Sequence, residues 1–123
     1  MGVRRTVLFL IFASMFALVH QFAVIASLYW YFWWFDILMH FWGGSLIALG
    51  VFVFSGFSFS SFAPSLKITL LSLIIITVTW ELFELFVGLY EPVAYLRDTA
   101  KDLVVGVGGG LLTHGIIKAY TMK

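Results

Sequence analysis

An all-α bundle of four membrane-spanning helices is the fold this sequence predicts, and three observations predict it. The 123 residues are 63% hydrophobic with a mean hydropathy of +1.08, more apolar surface than a soluble domain of that size can hide from water. The apolar residues fall into four long runs, each near the ~20 residues that cross a ~30 Å hydrocarbon core at ~1.5 Å per residue. In lipid the backbone has no water to bond, so it must satisfy its own N–H and C=O groups, and such runs span as helices. The chain, 1–123, reads as a single integral membrane domain with spans at about 6–27, 36–57, 66–89 and 98–119.

The first run follows Arg4 and Arg5 and carries His20 and Gln21 near its far end. Two arginines before an apolar run also begin signal peptides, but no small-x-small cleavage site follows, so a retained membrane helix is expected. Tyr29, Trp30, Tyr31, Phe32, Trp33, Trp34 and Phe35 come next, a cluster suited to a membrane–water interface, where it reads as a lipid-facing anchor belt. The second run sets Gly43, Gly44, Ser45 and Ala48 below His40. A Ser-rich segment over 55–65 with Pro64 reads as a short interfacial loop. The third run carries Glu81 and Glu84 in its last third. Pro92 prevents a smooth helical continuation through 90–97. In the fourth run Gly106, Gly108, Gly109 and Gly110 let a neighbouring helix approach closely.

Charge sets the expected topology. Arg4, Arg5, Lys67, Lys118 and Lys123 gather at one end of the spans, whereas Arg97 and Lys101 lie at the other. By the positive-inside rule both termini are cytoplasmic, in a bacterial-type cytoplasmic membrane. The net charge of +1 says little beside this placement. No basic stripe suggests nucleic acid. The absence of cysteine excludes disulfides, thiolate metal sites and cysteine nucleophiles.

Five of the six acids, with His40, form three spaced pairs: Asp36 and His40 in DILMH, Glu81 and Glu84 in WELFE, Asp98 and Asp102 in DTAKD. Residues three or four apart share a helix face, so each pair projects to one side. Counted at ~1.5 Å per residue, His40 and Asp102 lie about 6 Å below the outer surface, Glu84 about 5 Å and Glu81 about 9 Å. Three helices therefore bring ionisable groups into one layer. His20 reaches a similar depth, and His114, in the opposite half of its span, reads as a hydrogen-bonded structural histidine.

Each pair also has a scaffold reading. Asp36 and Asp98 stand where N-caps would, and Asp98 and Asp102 could pair with Arg97 and Lys101. Glu81 and Glu84 are harder to dismiss. A charged carboxylate within a span costs roughly 2.5–3.5 kcal/mol, and two on one face repel, so protonation, a cation or a basic partner must neutralise them. A divalent ion offsets several carboxylates at once, and carboxylates with a histidine suit Mg²⁺, Mn²⁺ or Zn²⁺. The expected ligands are His40, Glu81, Glu84 and Asp102. Burial and mutual repulsion could instead turn the acids into proton acceptors near neutrality.

These segments carry a resemblance. Asp36, His40, Phe41 and Gly44 make D-x3-H-F-x2-G; Trp80, Glu81 and Glu84 make an aromatic-E-x2-E segment; Asp98, Thr99, Asp102 and Gly108 make D-T-x2-D followed by glycines. In this order, over about residues 36–110, they resemble the YjdF-type family of small bacterial membrane proteins and, more distantly, the VanZ-like proteins. YjdF-type proteins usually have additional spans and a further acid where this chain has Tyr95. VanZ-like proteins tend to have amides in the third and fourth motifs, where this chain has Glu84 and no Asn at all, so their link to glycopeptide resistance is not carried over. The resemblance implies a membrane protein with a shared polar centre and supplies no mechanism.

Three functions fit this set. In the first, a metal on the four ligands activates water or polarises a phosphate or ester of a lipid or envelope precursor, with Glu81 and Glu84 as catalytic acids and Asp36 and Asp98 orienting ligands or substrate. The second is a non-enzymatic cation- or proton-binding module or transporter component; four spans leave little room for a complete pathway, so transport favours a homo-oligomer or a membrane partner protein. In the third, an accessory subunit uses its carboxylates only to lock helices together.

Overall fold

The computed structural model describes residues 2–57, 62–88 and 95–121, and every regular element among them is helical. The helices are α1 (Gly2–Ile25), α2 (Leu28–Tyr31), α3 (Trp33–Ser55), α4 (Leu66–Val87) and α5 (Tyr95–Thr121). Four of them, all but α2, are long and apolar enough to cross a membrane, so the predicted all-α four-helix membrane bundle is the fold of this chain. Pro92 and most of the predicted 90–97 loop, part of the Ser-rich loop and Lys123 lie outside the described residues.

Helix ends are set locally. Ser27 adopts φ 60°, a left-handed conformation uncommon for a residue with a side chain, and there α1 stops and the chain reverses through the single turn of α2. Ser65, behind Pro64, caps α4 by accepting a bond from the Ile68 N–H at 3.2 Å. Gly88 ends the same helix at φ 77°, and its N–H reaches the Glu84 carbonyl.

Two expected starts move. Helix α3 begins at Trp33 with Phe32 in the cap position, so Asp36 lies inside the first turn and is not an N-cap. Helix α5 already begins at Tyr95, which puts Asp98 inside its first turn as well. Both acids still sit near the positive end of a helix dipole, but their side chains are free for other partners.

Helices α3 and α5 run parallel in close contact, and glycine permits it. A Cβ on Gly44 would overlap the Gly106 carbonyl, and one on Gly109 would come within 2.5 Å of the Phe41 carbonyl oxygen. Ser45 Oγ donates to the carbonyls of Phe41 (3.1 Å) and Gly109 (3.3 Å), tying the helices where the backbones meet. Gly108, in contrast, faces open space. Helix α4 runs antiparallel to α5. Its Thr69, Leu73, Thr77 and Glu81, each four apart, meet His114, Gly110, Gly106 and Thr99 in turn.

Helix α1 is the outlier. It rests on α3 through Ala23, Phe16 against Trp42 (ring centroids 5.7 Å apart) and Phe9 against Gly50. Among the described residues none of its Cα atoms comes within 8 Å of α4 or α5. Most of its Val, Leu, Ile and Phe side chains are exposed, which suits lipid as the surrounding medium.

The aromatic belt divides. Trp30, Tyr31 and Trp33 are exposed as an anchor belt requires, while Phe35 is buried with Ala23 and Met39 and Tyr29 packs edge-on against Phe35 at 5.0 Å.

Candidate cation site at one end of the bundle

The parallel pairing of α3 and α5 builds the site. Gly44 lies one turn beyond His40, and Gly106 one turn beyond Asp102, so the closest backbone approach stands directly beneath these two side chains. His40 Nε2 is 3.2 Å from Asp36 Oδ1 on its own helix and 3.2 Å from Asp102 Oδ2 on α5. Lys101 Nζ approaches Asp36 Oδ2 at 3.8 Å from the outer side. One ligand atom from each of Asp36, His40 and Asp102 can be chosen such that all lie within 4.8 Å of one another.

Satisfaction differs across this group. The Asp102 side chain is only 9% exposed, and its Oδ1 has no hydrogen-bond partner among the described residues. The Asp36 and Asp102 carboxyl groups lie within hydrogen-bond reach of each other, a contact between two acids that a cation or a shared proton must relieve. The surroundings are acidic as well. Glu81, 5% exposed, accepts from Thr99 Oγ1 at 3.4 Å and feels the charges of Glu84, Asp102 and His40. Glu84 is half-buried, within electrostatic reach of Asp36, His40 and Asp102. Four carboxyl groups thus share a neighbourhood with two basic side chains, His40 and Lys101.

The predicted site residues therefore come together in part. His40 and Asp102 stand at the centre, with Glu81 and Glu84 alongside. Asp36, expected at the rim to orient substrate, belongs to the compact three-residue group. Asp98 makes no ion pair or hydrogen bond among the described residues and stands apart. His20 does not join the carboxylates: its Nδ1 lies 2.8 Å from the Tyr29 hydroxyl, and its ring meets Trp80 edge-on at 6.5 Å.

Sequence reasoning missed two neighbours. Thr99 was visible only as part of D-T-x2-D, with nothing to show that its hydroxyl serves Glu81. Tyr29 was absorbed into the aromatic belt. Burial and then the negative charges of Asp36 and Glu84 push its phenol up to about 12. His114 is the satisfied histidine expected, bonded through Nδ1 to Thr69 Oγ1 at 3.0 Å and packed on Phe52.

No family model, no curated protein and no solved structure matches this chain.

Proposed function

We propose that this membrane protein holds a divalent cation between α3 and α5, at the extracytoplasmic end of the bundle, and uses it on a phosphate or ester group of a lipid or envelope precursor. The observation that carries the cation is the buried, unpartnered Oδ1 of Asp102, in a group where Asp36, His40 and Asp102 offer ligand atoms within 4.8 Å. Two carboxylates and an imidazole suit Mn²⁺ or Zn²⁺, and Mg²⁺ with more of its water retained. Such an ion would supply Lewis-acid polarisation of a bound oxygen. Glu81 and Glu84 stand beside it as proton acceptors, with Thr99 orienting Glu81. The orientation follows from the lysines and arginines: Arg4, Arg5, Lys67 and Lys118 lie at the end away from the acids, which favours cytoplasmic termini in a bacterial-type inner membrane. Kinship with the YjdF-type family, and more distantly with VanZ-like proteins, belongs to the same proposal and is supported by the three motifs alone.

A structural lock has one observation of its own, the His40 ring that bridges carboxylates of α3 and α5. A lock, however, gains from full satisfaction and has no use for an orphaned oxygen or for two further acids alongside. Transport is weakened by the tight closure below the cluster, where Gly44 meets Gly106 and Leu73 meets Gly110.

Elemental analysis of protein purified without chelators tests the cation directly. A stoichiometric divalent ion is expected in the wild type, a reduced content in Glu81→Gln and none in Asp102→Asn. Metal-free wild type that gains no thermal stability from added Mn²⁺, Zn²⁺ or Mg²⁺ would leave the lock as the better account.

A further inference from the structure

Helix α1 carries two stripes of seven-residue spacing, and the bundle uses one of them. Phe9, Phe16 and Ala23 pack on α3, against Gly50, Trp42 and the buried pair of Phe35 and Met39. At ~100° per residue, Val7, Ser14 and Gln21 stand about 160° away, on the opposite side of the helix. All three are exposed, as are Leu10, Leu18 and Ile25 beside them. A shallow groove runs along this face between Val7, Leu10, Ile11, Ser14, Met15 and Leu18.

The face is not built for lipid alone. Gln21 is the sole side-chain amide of the chain. Neither Gln21 nor Ser14 has a hydrogen-bond partner among the described residues. Ser14 lies at the middle of the span Val3–Ile25, and Gln21 about 6 Å inside its outer end at ~1.5 Å per residue. Hydrocarbon offers neither donor nor acceptor, so polar side chains at such depths act as glue between helices. His20, next in the chain to Gln21, already has the Tyr29 hydroxyl and turns the other way.

A second copy of the chain meets these needs. Every copy crosses the membrane in the same sense, so a two-fold axis along the membrane normal sets α1 parallel to α1 and each residue opposite itself. Glutamine suits that arrangement, because an amide both donates and accepts and so complements its own copy. The spacing agrees. Val7, Ser14 and Gln21 alternate with Leu10, Ala17 and Val24 every three or four residues, the seam of a two-stranded coiled coil, in which one polar position fixes the register. Arg4 and Arg5 fall at the wet end of the helix, where screening keeps their repulsion small.

We propose that the protein forms a parallel homodimer through α1, with Ser14 and Gln21 of one copy against the same residues of the other. The pairing uses none of the residues of the cation site and is tested apart from it. The chain has no cysteine, so oxidative cross-linking of single-cysteine variants, in the membranes of the cells that express them, reports the contact directly. Val7→Cys, Leu10→Cys and Ala17→Cys are expected to give several-fold more dimer than Leu8→Cys and Phe12→Cys, which are comparably exposed on other sides of α1. Gln21→Leu should raise the dimer dissociation constant about tenfold, the scale of an amide hydrogen bond between membrane helices. Energy transfer between labelled copies, across a series of protein-to-detergent ratios, measures it, while helical circular dichroism stays at the wild-type level. Equal cross-linking at Leu8 and Val7, stronger cross-linking at Gly108→Cys than at Val7→Cys, or a Gln21→Leu variant that dimerises like the wild type overturns the proposal. A wild type that stays monomeric also overturns it, whether lipid or a different membrane protein then covers this face.

Discussion

His40 and His114 occupy similar depths from opposite ends of the bundle, and their surroundings differ in one respect. His114, 5% exposed, joins α5 to α4 through a neutral hydroxyl, with an aromatic ring of α3 against it. His40 joins α3 to α5 through the Asp102 carboxylate and meets Asp36 on its own helix, with Glu81 and Glu84 nearby and Asp102 Oδ1 without a hydrogen-bond donor among the described residues. Burial alone does not separate scaffold from site here. Surplus charge and an unspent acceptor do, because a membrane interior tolerates them only when something else arrives to balance them.

The severest way to break the comparison is to part the helices that make the His40 side. Gly44→Leu must displace the Gly106 carbonyl, which is backbone and cannot swing aside, so a loss of about 3 kcal/mol or more is expected, with loss of metal. Thermal melting in detergent would register it. Gly108→Ala, at an open position, should change stability by less than about 1 kcal/mol, and a large loss there would mean that α5 packs by a different face.

Asp102→Asn sharpens the comparison next. Saturating Mn²⁺ at roughly 100 times its dissociation constant should stabilise the wild type by about 2.7 kcal/mol, and the variant not at all. Without metal the variant should melt close to the wild type, because the amide oxygen still accepts from His40 Nε2 while the charge on the unpartnered side of the carboxylate is removed. A variant that melts well below the metal-free wild type would make Asp102 a structural acid.

At the other histidine the effect is smaller. Thr69→Val removes the hydroxyl that serves His114 and should cost about 1 kcal/mol, in the range measured for hydrogen bonds between membrane helices. Its response to Mn²⁺ should match the wild type. A blunted response would show that the two ends of α5 communicate.

The smallest expected effect concerns Tyr29. Its phenol ionises near 10 in an unfolded chain and about 12 here, so the folded state holds the proton more tightly. Stability from this source is complete below pH 10 and is lost as pH rises from there through about 12. Tyr29→Phe should flatten that alkaline decline, followed by helical circular dichroism, and an unchanged slope would detach Tyr29 from the acidic cluster.

Much of this architecture was legible in the residues. Span lengths follow from bilayer thickness, and the i, i+4 spacing of Asp36 with His40 could mean only a shared face once the run was helical. The glycines of the fourth run announced a close neighbour, although only the structure separates Gly106, Gly109 and Gly110, which meet α3 or α4, from Gly108, which meets nothing. Depth counting brought His20 level with Glu81, but depth says nothing of direction, and His20 turns to Tyr29. The cap reading of Asp36 and Asp98 failed because each helix starts three residues earlier than the acids suggested. That shift freed Asp36 to meet His40.

What the sequence by itself determined is the number of spans, their shared polar end and the residue types gathered there, since cost in lipid and helix period both act along a single chain. Which acids become near neighbours was decided only by tertiary structure. In water, an apolar stripe tells which face of a helix turns inward; in lipid the outside is as apolar as the inside, so each helix could be rotated many ways without changing its hydropathy. The rotation was settled by shape. Gly44 fits against the Gly106 carbonyl and Gly109 against the Phe41 carbonyl, and this close approach of α3 to α5 turns His40 towards Asp102.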